Sequence, residues 1–237
     1  MAGLYLGGKV VAPVVTKEIP EERFGVNLDT FINKVDENGV LNRTTWKGTL
    51  NFVGVTEIGE KALYYMFYGH TGITSVDLSS IQSIGRNGLT HAFYGCTGIT
   101  NVDLSSLQSV GNNGLLYTFY NCSGITGILD LSSLESVGSY GLKHAFCDCV
   151  GITGVDLSSL QSVGSDGLSW AFSDCGITTI SFPSLTSVQT DSFRTTFQYC
   201  GELTEIHFRA DMQAMIEAMT GYSSKFGATN ATIYFDL

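Results

Sequence analysis

Two stretches of this chain are nearly the same sentence: HAFYGCTGITNVDLSSLQSVGNNG from His91 and HAFCDCVGITGVDLSSLQSVGSDG from His144. Phe67, Phe93, Phe119, Phe146, Phe172 and Phe197 head equivalent units, with gaps of 26, 26, 27, 26 and 25 residues. A fixed period of this size specifies a solenoid, in which each coil packs only on its neighbours. The long gap carries one extra residue near Leu129, where GILDLSS replaces NVDLSS, and the short gap has lost one after Cys175. An earlier half-unit, Leu50 to Leu63, matches VDLSSLQSVGNNGL column for column.

Within a unit, Ile99, Val102 and Leu104 form an L-x-x-L-x-L pattern, followed by Leu107 and Val110, then Leu115 and Phe119. Val102 and Leu104 share one side of a strand, and Asp103 points to the other. Leu115 and Phe119 are four apart, the spacing of a short helical turn. Paired glycines (Gly85/Gly88, Gly111/Gly114, Gly138/Gly141, Gly164/Gly167) bracket a tight turn between them; glycine accepts left-handed backbone angles without a steric penalty. Each coil is expected to run strand, tight turn, short helix or turn, and back.

L-x-x-L-x-L is the leucine-rich repeat signature. The form AFxxCxGITxVDLSSLxSVGxxGL resembles the BspA-like leucine-rich repeats of oral and gut bacteria, with their AFxxC box. That family often has a Pro after the strand. Pro183 stands there in one unit, whereas Ser79, Ser105, Ser132 and Ser158 replace it elsewhere. The resemblance covers roughly residues 49–208. It implies an α/β solenoid with a parallel sheet on the concave side and short helices or turns opposite, used for adhesion to proteins, cells or surfaces, without catalysis or cofactor.

The remaining segments read as caps, which a solenoid needs to cover its raw ends. The expected organisation is an N-terminal cap at 1–48, repeats at 49–208 and a C-terminal cap at 209–237. LYLGGKVV reads as a hairpin about Gly7-Gly8. Phe24, Leu28, Phe31, Ile32 and Val35 have helical spacing, as do Phe208, Met212, Met215, Ile216 and Met219, with Gly221 as a stop. ATIYFDL reads as a closing strand. Both ends resemble those of repeat proteins carried by gut bacteria, some in phage or prophage settings.

The net charge is −10. Between Leu63 and Ser192 the only basic residues are Arg86 and Lys143, against nine acids. Such a surface repels a phosphate backbone, which argues against nucleic acid and anionic membrane as partners. No stretch has the length of a membrane span, so no membrane insertion is expected. The opening residues lack the pattern of a signal peptide. An extracellular, cell-surface or virion location is the expectation, by a removed leader or another route.

Three columns carry the chemistry. Asp77, Asp103, Asp130 and Asp156 occupy one strand position, about 4.8 Å apart in a parallel sheet, so something must offset their repulsion. Hydroxyls such as those of Ser75 and Ser79, a bound cation or a basic partner would each do so; no EF-hand loop is present. Cys96, Cys122, Cys149, Cys175 and Cys200 form the second column, with His70 in its first place. Buried free thiols explain them better than disulfides or zinc, because a straight column does not make a tetrahedron. Cys147, where other units have Tyr68, Tyr94 and Tyr120, is expected to be the exposed thiol.

The third column is aromatic: Tyr65, His91, Tyr117, His144 and Trp170, with Tyr68, Tyr94 and Tyr120 three residues further on. This offset places both sets on one face of a helical turn. The rings either stack between coils and seal a flank or form a contact surface. Catalytic motifs such as G-x-S-x-G, H-E-x-x-H and G-x-x-x-x-G-K-[ST] are absent, and serine, histidine and aspartate recur as columns rather than one constellation. The expected function is therefore a non-catalytic module that binds a protein or glycan ligand through these rings, with the aspartate column as a second surface. A purely structural spacer, such as a phage fibre or baseplate component, is the alternative, and a hydrolase a distant one.

Overall fold

In a computed structural model, the structure describes residues 3–6, 9–13, 48–52 and 55–237. Strands β1 (Gly3–Leu6) and β2 (Lys9–Pro13) pair antiparallel, with Leu6 opposite Lys9, as the hairpin reading requires. The helical spacing at 24–35 lies outside the described residues.

From β3 onward the chain is a parallel solenoid. One row of strands contains β3 (Gly48–Asn51), β5 (Ile73–Asp77), β7 (Asn101–Asp103), β9 (Thr126–Asp130), β11 (Gly151–Asp156), β13 (Thr179–Phe182), β15 (Glu205–Phe208) and β16 (Thr232–Phe235). A second row contains the two-residue strands β4 (Glu57–Ile58), β6 (Ser83–Ile84), β8 (Ser109–Val110), β10 (Ser136–Val137), β12 (Ser162–Val163) and β14 (Ser187–Val188). Register follows the repeat: Leu50 lies opposite Val76, which lies opposite Val102, and Ser136 opposite both Ser109 and Ser162.

The irregular gaps explain where the first row breaks. It is hydrogen-bonded in groups of three, two and three strands, interrupted between β7 and β9 and between β11 and β13. The 27-residue gap falls at the first break and the 25-residue gap at the second. The slip between Ile152 and Gly154 in β11 is not the mark of the extra residue, because β5 slips at the same place, between Ile73 and Ser75, with no residue inserted. Gly127 takes a φ of +85°, and Ile128 is left outside with 75% exposure. The second row stays continuous through all six strands, so both irregularities are absorbed before it.

The third side of each coil takes the turn rather than the helix of the sequence expectation. Alternate N–H groups of Lys61, Leu63, Tyr65, Phe67 and Gly69 donate to the carbonyls of Arg86, Gly88, Thr90, Ala92 and Tyr94 in the next coil, at 2.7–3.0 Å. The intervening N–H groups of Ala62, Met66 and His70 close turns onto Gly59, Leu63 and Phe67. Every fourth residue is left-handed, for example Lys61, Tyr65 and Gly69. Side chains consequently alternate two inward, two outward: Ala62 and Leu63 are buried, Tyr64 and Tyr65 exposed, Phe67 buried again.

This corrects the reason for the paired glycines. The left-handed residue lies between them, at Asn87, Asn113, Tyr140 and Asp166 (φ 53–58°). The glycines are required because a Cβ would not fit. At Gly114 it would come within 2.7 Å of the Val110 side chain, and at Gly164 within 2.6 Å of the Ser139 backbone nitrogen.

The core is one stacked column per position. Phe67, Phe93, Phe119 and Phe146 stack at 5.3 Å, continuing to Phe172 and Phe197 at 5.9 and 6.4 Å. The thiols of Cys96, Cys122, Cys149, Cys175 and Cys200 are buried and free. Each Sγ donates to the phenylalanine carbonyl of the preceding coil at 3.0–3.3 Å. At the C-terminal end, a 3-10 turn (Ala210–Met212) leads into α1 (Gln213–Glu217). Met212 and Ile216 are buried, while Met215 is exposed and Phe208 belongs to β15. Gly221, with φ +92°, turns the chain after the helix, and β16 pairs parallel with β15, Phe235 opposite Phe208.

Candidate functional site: an aromatic ribbon

The turn ladder positions the aromatic residues. Tyr65, His91, Tyr117, His144 and Trp170 all sit at its second left-handed position, with φ of 53–56°. Their rings stack coil upon coil, Tyr65 on His91 at 4.4 Å, His91 on Tyr117 at 4.8 Å and Tyr117 on His144 at 4.4 Å. Trp170 closes the column at 5.5 Å from His144. Beside it, Tyr68, Tyr94 and Tyr120 stack at 4.7 Å. The two columns touch within each coil at 5.7 Å. The eight residues are thus brought together as one ribbon. The shared outward face comes from successive turns, not from a helix.

Because the rings stack face to face, their faces are covered by one another. What remains outward is ring edge and hydroxyl. Tyr65, Tyr68, His91, Tyr94 and Tyr117 line an open recess of about 550 Å³. Tyr65 is 41% exposed and the other seven are intermediate. Burial raises the tyrosine pKa at Tyr65, Tyr94 and Tyr117. A hydrogen bond with Asp148, with burial second, raises it at Tyr120. Burial lowers His91. It drives His144 down to about 4, helped by Lys143 and opposed by Asp148. The Nδ1 atoms of both histidines are buried without a hydrogen-bond partner, so the neutral imidazole suits this position.

Cys147 continues the second column below Tyr120 and is buried, not exposed as its sequence position implied: it is 5% exposed, with Sγ 3.7 Å from Asp148 Oδ1. A thiol is too short to reach the level of the rings it replaces. Burial holds its pKa at about 12, far from a reactive thiolate.

The aspartate column is internally satisfied. Asp77 Oδ1 accepts the Ser79 N–H at 3.0 Å and the Ser79 hydroxyl at 2.6 Å. Asp103 does the same with Ser105, and Asp130 and Asp156 accept the N–H groups of Ser132 and Ser158. The serine two residues on supplies the bond; of the two hydroxyls considered, Ser79 makes it. Bonding from Ser132 also lowers the Asp130 pKa. The serines that replace the expected Pro are therefore caps for the aspartates. The sequence offers Ser79 as a partner, and the D-x-S spacing repeated four times extends that pairing to the other three aspartates. Among the described residues no group of three or more His, Cys, Asp or Glu could hold a metal ion, and no helix is long and apolar enough to cross a membrane.

The family match agrees with the repeats. The model of the BspA type leucine rich repeat region, six copies long, matches residues 56–196 and 115–225. Among solved structures, the chain is similar to a leucine-rich repeat protein of T. pallidum, at 20% identity and a TM-score of 0.40, over 93% of this chain and 83% of that one. It is also similar to a leucine-rich repeat protein of Bacteroides ovatus, at 14% identity and a TM-score of 0.30, over 92% and 76%. No curated protein matches. Leucine-rich repeats of this kind are generally protein-interaction modules. With a repeat-by-repeat match over most of its length, the chain belongs to the BspA-type leucine-rich repeat family.

Proposed function

We propose that this chain is a non-catalytic binding module, of the adhesion kind, that meets a protein partner edge-on along the aromatic ribbon. The observation that carries this reading is the residue type at the middle left-handed position. The flanking left-handed columns are mostly Asn, Asp or Gly (Asn87, Asn113, Asp166; Gly69, Gly95, Asn121), which adopt this conformation most easily. The middle column places Tyr65, Tyr117 and Trp170 there, at a cost of roughly 1–2 kcal/mol each. Stacking returns about 0.5–1.5 kcal/mol per pair beyond the area it buries, so the strain is met by the stack while Asn or Gly would avoid it. A surface that presents rings where Asn or Gly would fold more easily is a surface kept for contact.

Edges and hydroxyls favour a protein ligand over a glycan. Sugar rings stack on aromatic faces, and among the described residues the inner rings of both columns have their faces covered by their neighbours, which leaves faces only at the column ends. The acidic surface argues for a neutral or basic partner rather than nucleic acid. An extracellular, cell-surface or virion setting, where such repeats serve attachment, fits this role.

The test separates packing from contact. Tyr117→Phe and Tyr94→Phe keep the ring and remove only the hydroxyl, while Trp170→Ala opens the column. Each variant is measured in thermal unfolding and in binding to a ligand found by protein and glycan arrays. The Phe variants should keep the melting temperature and lose affinity, and Trp170→Ala should cost about 2 kcal/mol in binding. Stability losses with unchanged affinity would reduce the ribbon to packing and the chain to a structural spacer, and would move the search to the Asp77–Asp156 face.

A further inference from the structure

A second recess, of about 480 Å³, lies where the last coil meets the C-terminal helix. Gln189, Thr190 and Asp191 line one side of it, and Val188, Met215 and Met219 contribute apolar surface. Asp191 Oδ1 is closed off from solvent and has no hydrogen-bond partner among the described residues. A half-desolvated carboxylate without a donor is costly to leave so.

The preceding coil shows how the same position is satisfied. Asp166 is the equivalent of Asp191, 25 residues earlier and also left-handed (φ 53° and 57°). Its Oδ1 accepts from Lys143 Nζ at 3.4 Å, with side-chain exposures of 26% and 16% for the lysine and aspartate. One coil on, the residue in the place of Lys143 is Ser169. Its hydroxyl carries no charge, and its Oγ is likewise buried without a partner among the described residues. The last coil therefore keeps the anion and lacks the ammonium that accompanies it one step earlier. Asp191 itself lines the open recess, together with Met215 and Met219.

We propose that this recess binds a primary alkylammonium group, its charge at Asp191 and its carbon chain against Met215 and Met219. Methionine is suited to the second part, since its flexible thioether adapts to chains of different shape. Either a free amine or a lysine side chain presented by a peptide has this chemistry. The site is separate from the aromatic ribbon and does not depend on it.

The experiment uses the full chain with methyl-labelled methionine. It is titrated with n-pentylammonium, with N-acetyl-lysine methylamide and, as the uncharged control, with 1-pentanol. The methyl signals of Met215 and Met219 should shift saturably with a cation and not with pentanol. Preference between the two cations tells a free amine from a peptide lysine. Asp191→Asn should weaken binding by at least about tenfold, the loss expected for one charge-assisted hydrogen bond. Ser169→Lys supplies the ammonium from within, as Lys143 does, and should raise the melting temperature while abolishing amine binding. The proposal is overturned by an absence of saturable shifts in the wild-type protein, by equal binding of pentanol, by unchanged binding in Asp191→Asn, or by unchanged binding in Ser169→Lys.

Discussion

Acid should loosen this solenoid in a defined window, and His144 should be the main reason. Its imidazole is stacked between Tyr117 and Trp170, its Nδ1 is buried without a partner, and its pKa falls from 6.5 to about 4. The folded state therefore holds the neutral ring, while the unfolded chain takes up a proton below pH 6.5. A depressed folded pKa means that stability present above the unfolded pKa is lost as pH falls toward the folded one. For His144 that window is pH 6.5 to about 4. The full separation would be worth ~3 kcal/mol in a fully buried ring. The ring is partly exposed, and solvent screening brings this to about 1–2 kcal/mol. His91 shifts in the same direction and adds to the loss. His207 opposes it. Its hydrogen bond to Asp236, at 2.8 Å, raises its pKa, so its contribution is present below pH 6.5 and lost as pH rises through the folded value. This ion pair is largely exposed, so its part is small. Urea unfolding at pH 7.5, 6.5, 5.5 and 4.5 measures the sum, with His144→Phe as the decisive variant: it keeps a stacked ring and removes the titration. The wild-type midpoint should fall over this range and the variant's should fall less. Parallel pH profiles for the two proteins would refute the assignment to His144.

Three further outcomes follow from the coil geometry. Gly98→Ala would drive a Cβ into the Thr71 carbonyl oxygen, whereas at Gly201 nothing lies within 4 Å; chemical denaturation should show a loss of more than about 3 kcal/mol for the first and near zero for the second. Phe119→Ala removes a ring stacked on both sides at 5.3 Å and should cost about 3–5 kcal/mol in the same assay. All six thiols are free and buried, so a thiol reagent should count six in unfolded, non-reduced protein and react slowly with the native state; stable protection of four or more after unfolding would contradict the structure.

Much of this architecture is written in the period. Equivalent residues 25 to 27 apart must stack, because a solenoid coil has only its two neighbours to pack against. That alone puts Phe on Phe, Cys beneath Cys, Asp beside Asp and ring upon ring, and it makes ATIYFDL a closing strand rather than a loop. The family was legible for the same reason, since the repeated box carries its signature in every unit.

What the period left undecided is the direction of the backbone hydrogen bonds. Leu115 and Phe119 have the same spacing in a helical turn and in a ladder of successive turns. The ladder wins because each coil offers a row of carbonyls to the N–H groups of the coil before it, and only the assembled stack supplies them. From that choice follow the left-handed residue at every fourth place, the crowding that demands glycine at Gly114 and Gly164, and the ring faces covered by one another. Burial of Cys147 is decided the same way, by the height of the rings around it. The aspartate at position 191 reads in sequence as one more acid. Only when the coils are stacked does it become the one that follows Ser169 where its predecessor follows Lys143, because an ion pair between coils depends on the reach of a side chain across the step and not on its place in the repeat.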